Sequence, residues 1–210
     1  MKHYRRFFTL VLAGALLLAC AACGATSEYE AIEIDSALEQ YIEEVAQEHY
    51  VYPVYQPGFL ITAIKIHGAY QRKSTIKVFV STWHSAYNVV DDSAQAFSSG
   101  HVPVAITCRK EADGTYRLIE YKFPKMDGAF SPSVRAFCKL PSGQNLNEVA
   151  EEIFDCYQDP SELDKIHQQK RDAYLAEHGL RLFPPEWANS LPEEQTTNSY
   201  PAEQRTKPVA

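Results

Sequence analysis

Trp83, His84 and Tyr87 place an indole, an imidazole and a phenol within one short stretch of a strand-like sequence. Gathered at a strand end, they would form a shallow pocket with a titratable group of the kind a small-molecule-binding or hydrolytic site needs. The competing reading is a strand end with one side chain in the core and its neighbour at the surface. A second aromatic group, with Tyr52 and Tyr55 set among Pro53 and Pro57, lies in a proline-stiffened loop. It would either present a surface to a sugar or peptide or fold as a lid over a sheet edge. The third chemically distinctive feature is the pair Cys20 and Cys23 near the start of the chain.

Cys20 follows Leu17-Leu18-Ala19, an apolar run of signal-peptide length and a basic start at Lys2, Arg5 and Arg6. Residues 17–20 resemble the bacterial lipobox, in which a small residue precedes a cysteine that receives a diacylglycerol on its sulfur. Cys20 is then the mature N-terminus. Cys23 is the alternative site, although Cys20 rather than a branched apolar residue stands three positions before it. The same two cysteines spell C-x-x-C, but a redox reading needs a strand before and a helix after them. Two acyl chains anchor stably where one is marginal. The expected location is the extracytoplasmic face of the cell membrane, with residues 1–19 a signal peptide and 20–34 a lipid-anchored tether.

Loss of residues 1–19 removes Lys2, Arg5 and Arg6 and no acid, moving the net charge from −7 to about −10. Nucleic acid is an unfavourable partner for so acidic a body. Between residues 24 and 64 there are eight Asp or Glu and no Lys or Arg, which an anionic lipid surface would hold at a distance. The sequence contains no H-E-x-x-H, no G-x-S-x-G, no phosphate-cradling glycine loop and no Cys/His spacing suited to zinc. No catalytic residue, metal site or cofactor is expected. Of the cysteines in the body, Cys108 and Cys156 fall on apolar faces, so buried free thiols are expected, with a Cys138–Cys156 bridge as the alternative.

The elements that must position these groups follow from periodicity. Residues 35–49 read as an amphipathic helix capped by Asp35 or Ser36, with Leu38, Tyr41, Ile42, Val45 and His49 on one stripe and Glu39, Glu43, Glu44 and Glu48 opposite. Those acids read as a solvated face rather than a cation site. Residues 60–69 and 74–87 read as strands. Residues 90–100 read as a polar connection holding at most a short edge strand at 94–97. Residues 102–123 read as a hairpin turning at Asp113-Gly114, with Tyr116 and Leu118 on one face and Arg117, Ile119 and Tyr121 on the other. Ser131-Pro132 starts a short helix, Asn145 with Glu148 starts another to Gln158, and Ser161 caps a third that ends at Gly179. Residues 184–210 have the composition of a disordered tail.

Gly100-His-Val-Pro103, Asp113-Gly-Thr-Tyr116, Leu118-Ile-Glu-Tyr121, Pro124 with Asp127-Gly128, and Ala173-Tyr-Leu-Ala-Glu-His-Gly179 resemble the extracytoplasmic C-terminal region of some Firmicutes antirepressor metallopeptidases, membrane proteins related to beta-lactam sensors. The likeness covers less than half the chain and includes neither the metallopeptidase helices nor their zinc motif. It implies a free-standing, lipid-anchored sensing or interaction module with no peptidase activity.

The expected architecture is α+β: residues 35–183 as a single domain, its N-terminal helix packed on a four- or five-stranded antiparallel meander, as in cystatin-like or NTF2-like cones, followed by two C-terminal helices. The expected function is a non-catalytic lipoprotein that binds an envelope protein or a cell-wall ligand. The alternative is a pocket on the sheet around Trp83, His84 and Tyr87.

Overall fold

The computed structural model describes residues 28–50, 58–126 and 128–183. Cys20, Cys23, Tyr52, Tyr55 and the C-terminal residues 184–210 lie outside them.

Helix α1 (Ser36–Glu48) starts where the sequence predicts, because the Asp35 carboxylate accepts the Leu38 amide at 2.8 Å and satisfies a donor that has no partner within the helix. Leu38, Ile42, Val45 and Ala46 form its buried stripe. The strands are β1 (Glu30–Ala31), β2 (Phe59–Arg72), β3 (Thr75–Val90), β4 (Ser93–Lys110), β5 (Tyr116–Lys122) and β6 (Arg181–Leu182). Strands β1 to β5 form an antiparallel meander in chain order, and β6 adds a short parallel pairing to β4. The tight β2–β3 and β3–β4 connections put Lys73 and Asp91 at φ 55°, the left-handed geometry that matches strand twist in short hairpins. Helices α2 (Phe130–Phe137), α3 (Asn147–Gln158) and α4 (Ser161–Glu177) follow the meander.

The fold class is α+β as expected, but the sheet is covered on both faces. Ile76, Val78 and Val80 of β3 pack with α1, while Phe79 packs with Val134 and Phe137 of α2 and Val149 and Ile153 of α3. Helix α4 covers the far part of the second face through Leu163 and Leu175. A strand with helices over both faces is buried almost continuously, which is what β3 shows from Ile76 to Tyr87, Trp83 alone being half-buried.

Several local expectations change. Residues 93–100 are not a connection: they are the first half of β4, paired to β3 from Val90↔Ser93 to His84↔Gly100. Their serines are accommodated because Ser99 bonds the Trp83 indole and the Ser85 hydroxyl. Asn145 does not cap α3. It bridges to Lys139, and the Leu146 amide donates to the Cys138 carbonyl, so backbone pairing sets the helix start. At α4 the capping carboxylate is Asp159, which accepts the Ser161 amide, and Gly179 ends the helix at φ 64° as expected. Tyr121 lies on the α1 face with Tyr116 and Leu118, not opposite them, because the pairing steps from Cys108↔Leu118 to Thr107↔Glu120 and leaves Ile119 as the extra residue of a bulge.

One buried cation ties the layers together. Lys77 Nζ, rising from β3, donates to the carbonyls of Phe137 at 2.7 Å and Lys139 at 2.9 Å, where the end of α2 leaves acceptors free. Burial pushes the Lys77 pKa down from its ordinary value. Replacing Lys77 by Met strands both carbonyls and should lower the unfolding free energy by about 1.5–3 kcal/mol in urea titration. The exposed control Lys125→Met should stay within about 0.5 kcal/mol.

Candidate functional site

Alternation along β3 separates the predicted trio. Trp83 pairs across to Ala63 and His101 on the face covered by α3 and α4, whereas His84 pairs to Thr62 and Gly100 on the α1 face. His84 is 1% exposed, bonds Thr62 Oγ1 through Nδ1 at 3.0 Å and stacks on Tyr50 at 4.3 Å. Tyr87 is buried on the Trp83 face but belongs to a different cluster, stacked on Phe59, which in turn stacks on Tyr174. The three side chains therefore do not line one pocket. His84 is a satisfied core histidine, and Trp83 is a packing residue against Leu163 and Ile166.

Helices α3 and α4 instead close over a group of polar side chains. Trp83 Nε1 donates to Ser99 Oγ at 2.9 Å, and its ring stacks against His101 at 5.8 Å and His167 at 5.9 Å. The Nε2 atoms of His101 and His167 are buried without a hydrogen-bond partner. Burial lowers the pKa of both rings, so they are neutral near pH 7.

His67 is the residue the sequence reading passed over. It is the extra residue of a β-bulge between Ile66 and Gly68, and alternation from Ala63 and Lys65 puts its side chain under α3. That side chain is 1% exposed. Its Nε2 meets Ser81 Oγ at 2.9 Å, and its Nδ1 has no hydrogen-bond partner and lies 3.9 Å from Glu152 Oε2. Burial, with the Lys65 charge second, lowers its pKa to about 4. The order Ser81, His67, Glu152 has the outline of an acyl-transfer triad. Ser81 is fully buried, however, and the imidazole–carboxylate gap exceeds a hydrogen bond, so no substrate carbonyl reaches the hydroxyl. The available signal was Gly68, an isolated glycine in an apolar strand, which marks a bulge or close backbone approach.

Above His67 opens a cavity of about 400 Å³ between β2, the end of α3 and the start of α4. Its polar lining is Lys65, His67, Glu152, Asp155, Asp159 and Glu162. Among the described residues no three His, Cys, Asp or Glu side chains converge to hold a metal ion. Cys108, Cys138 and Cys156 are all buried and free, so the alternative Cys138–Cys156 bridge is not formed. Burial pushes the Cys108 thiol up to about 11 and the Cys138 thiol up to about 12, which keeps both protonated and poorly nucleophilic. The acidic face of α1 carries a structural tie: Glu43 pairs with Lys170 of α4, and Glu44 accepts from Gln40.

These features define a three-layered α+β domain with His67, His84, His101 and His167 held neutral inside and an acidic cavity where α3 and α4 meet β2. Compared with models of known protein families, with curated protein sequences and with solved structures, the chain shows no match to any. Among the described residues, no helix is long and apolar enough to cross a membrane.

The buried imidazoles make stability depend on pH. His67 and His84 have folded pKa values of about 4, below the unfolded value of 6.5, so the unfolded chain binds more protons between those limits. Their contribution is complete above pH 6.5 and is lost as pH falls toward 4, on the order of 3 kcal/mol for each ring. Urea titrations from pH 7 to pH 4 should show this decline. In His84→Gln the slope near pH 5.5 should fall by about 1.4 kcal/mol per pH unit, the share of one proton.

Proposed function

We propose that this protein is a non-catalytic lipoprotein of the cell envelope, anchored through Cys20 on the extracytoplasmic face, whose folded body binds a partner protein or an envelope ligand. The observation that carries the binding reading is the outer edge of β4. Strand β5 pairs with β4 from Ala105 to Lys110 and β6 pairs with Ser93 and Ala94. Among the described residues, no strand pairs with residues 98–104 on that side. Phe97, 36% exposed, precedes this stretch, and Phe123, 52% exposed, follows directly on the Lys122↔Ala105 pair at its end. An open edge with apolar side chains at hand is what an extended peptide uses to add a strand.

Three further points support the reading. The hydroxyl, imidazole and thiol groups best suited to nucleophilic chemistry, Ser81, His84, Cys108 and Cys138, are buried in the layers. The acidic charge of the body disfavours nucleic acid. The resemblance of residues 99–179 to the extracytoplasmic region of antirepressor metallopeptidases, without the peptidase parts, suits a sensing or interaction module. The anchor rests on Ala19-Cys20 and the apolar run before them.

Cys20→Ser should abolish incorporation of labelled palmitate and release the protein from the membrane fraction, while Cys23→Ser should do neither; the reverse pattern would move the anchor to Cys23. For the edge, a photo-crosslinking residue at position 97 should capture a discrete partner in intact cells. Ala96→Lys combined with Phe123→Asp should reduce that product at least tenfold without changing the melting temperature. A product indifferent to the double substitution would rule out the β4 edge as the docking surface.

A further inference from the structure

Strand β6 sets the direction in which the chain leaves the described body. Arg181 and Leu182 pair with Ser93 and Ala94 in parallel, and the Phe183 amide donates to the Ala94 carbonyl at 2.8 Å. A parallel strand runs the way its neighbour runs. The chain therefore passes Phe183 heading along β4 toward residues 98–104, on the side that β3 does not occupy.

The edge ahead of it is a slot closed at both ends. Strand β6 and Phe183 stand at one end, and the Lys122↔Ala105 pair of β5 stands at the other. Residues 98–104 between them span about 23 Å at the rise of a strand. One short extended segment fits such a slot better than the 18-residue β4 of a second copy does. The backbone groups that line it need partners of the kind a strand supplies.

Residues 185–191, Pro-Glu-Trp-Ala-Asn-Ser-Leu, have the same length as the slot. Carrying the Ala94↔Leu182 register forward, and leaving out Phe97 as β3 does, sets them against residues 98–104. Pro184 and Pro185, which have no amide to donate, then fall at the bulge, where a ladder is interrupted in any case. Trp187 falls at Gly100. Among the described residues a Cβ there would meet nothing nearer than Tyr50 Oη at 3.7 Å, which leaves room for an indole across the glycine. Pro192 falls at Ala105, where β5 takes over the edge. Only Glu186 is charged in this segment and residues 98–104 carry no charge, so pairing the two desolvates little charge.

We propose that residues 185–191 of this chain add to β4 as a parallel strand and cover its open edge, so that a partner peptide binds there by displacing them. This rests on the reading that the β4 edge accepts an extended segment, and it gives that edge an occupant in the absence of a partner.

The test is hydrogen exchange, followed by NMR, on the full-length protein in detergent. The amides of residues 98–104 that point away from β3 should exchange slowly in the native chain. Ala188→Pro combined with Asn189→Pro removes two adjacent amides, one of which faces β4 whichever way the ladder alternates. That variant should speed exchange of those amides at least tenfold and leave β3 unchanged. The control Thr196→Pro with Thr197→Pro, beyond Pro192, should alter neither. With the photo-crosslinking residue at position 97, the 188/189 variant should also yield at least threefold more partner product in intact cells. The proposal is overturned if the outward amides exchange freely in the native chain, if the 188/189 variant leaves them protected, or if the 196/197 control releases them equally. It is also overturned if their protection fades on dilution, which would make a second copy the occupant. Protection that the 188/189 variant releases, with no crosslinked product from either chain, would support the self-cover and sink the partner; a product from amides that exchange freely in the native chain would do the reverse.

Discussion

Between Thr75 and Tyr87, β3 has a hydrogen-bonded neighbour on each edge and helices over both faces, so a polar side chain along most of its length has no water to turn to. Burying such a group without a partner is costly, and burying a charge more so. Five buried residues of β3 nevertheless carry polar side chains: Lys77, Ser81, Thr82, His84 and Ser85. Each has a partner outside β3. Lys77 reaches the carbonyls at the end of α2, Ser81 meets the bulged His67, Thr82 bonds the Val102 carbonyl, His84 meets Thr62, and Ser85 meets Ser99. The partners come from β2, β4 and the α2–α3 connection. Satisfying one strand thus fixes the position of the elements around it.

Bulges decide how the flanking strands serve that centre. Each inserts a single residue and reverses which face the rest of its strand presents. In β4 the pairing steps from Ala86↔Ser98 to Tyr87↔Ala96, leaving Phe97 as the extra residue; in β5 the extra residue is Ile119. Both are apolar and exposed, at 36% and 46%. In β2 the extra residue is His67, and it turns inward instead. An imidazole placed beneath α3 has one nitrogen within reach of Ser81 and the other 3.9 Å from Glu152. The polar centre of the second face comes from that one insertion as much as from strand alternation.

The parts legible in the sequence are those set by neighbours close along the chain. Asp35 announces α1, Asp113-Gly114 announces the β4–β5 hairpin, and the apolar stripe of α3 places Cys156 inward as a free thiol. Other features depend on partners far away. Ser99 reads as part of a connection because its indole and hydroxyl partners on β3 are distant in sequence. Asn145 looks like a cap until the bridge to Lys139 is seen. Tyr121 changes face because of a register step that periodicity does not register. The separation of Trp83 from His84 is different, since period-two alternation already sends adjacent residues to opposite faces. His67 follows the same alternation, two residues beyond Lys65; only the bulge, a property of two strands, left no more trace than Gly68.

The two sides of the sheet are treated unequally, and the inequality bears on function. Natural sheets blunt their edges with charges, prolines, short strands or covering elements. On the β2 side, β1 pairs with Tyr70 and Gln71, and farther along α1 and α4 meet through Glu43 and Lys170. On the other side, β5 is short and carries Arg117, Glu120 and Lys122. Residues 95–104 of β4 contain no Asp, Glu, Lys or Arg, and Pro103, which has no amide to donate, comes only near the β5 end. Among the described residues, this stretch of edge carries none of the charges that the β5 edge presents. Tethering the chain to a membrane would limit how freely two copies meet edge to edge. On that reasoning the proposed anchor and the proposed docking edge would belong together: an anchor would make such an edge tolerable, and the edge would give an anchored body something to hold.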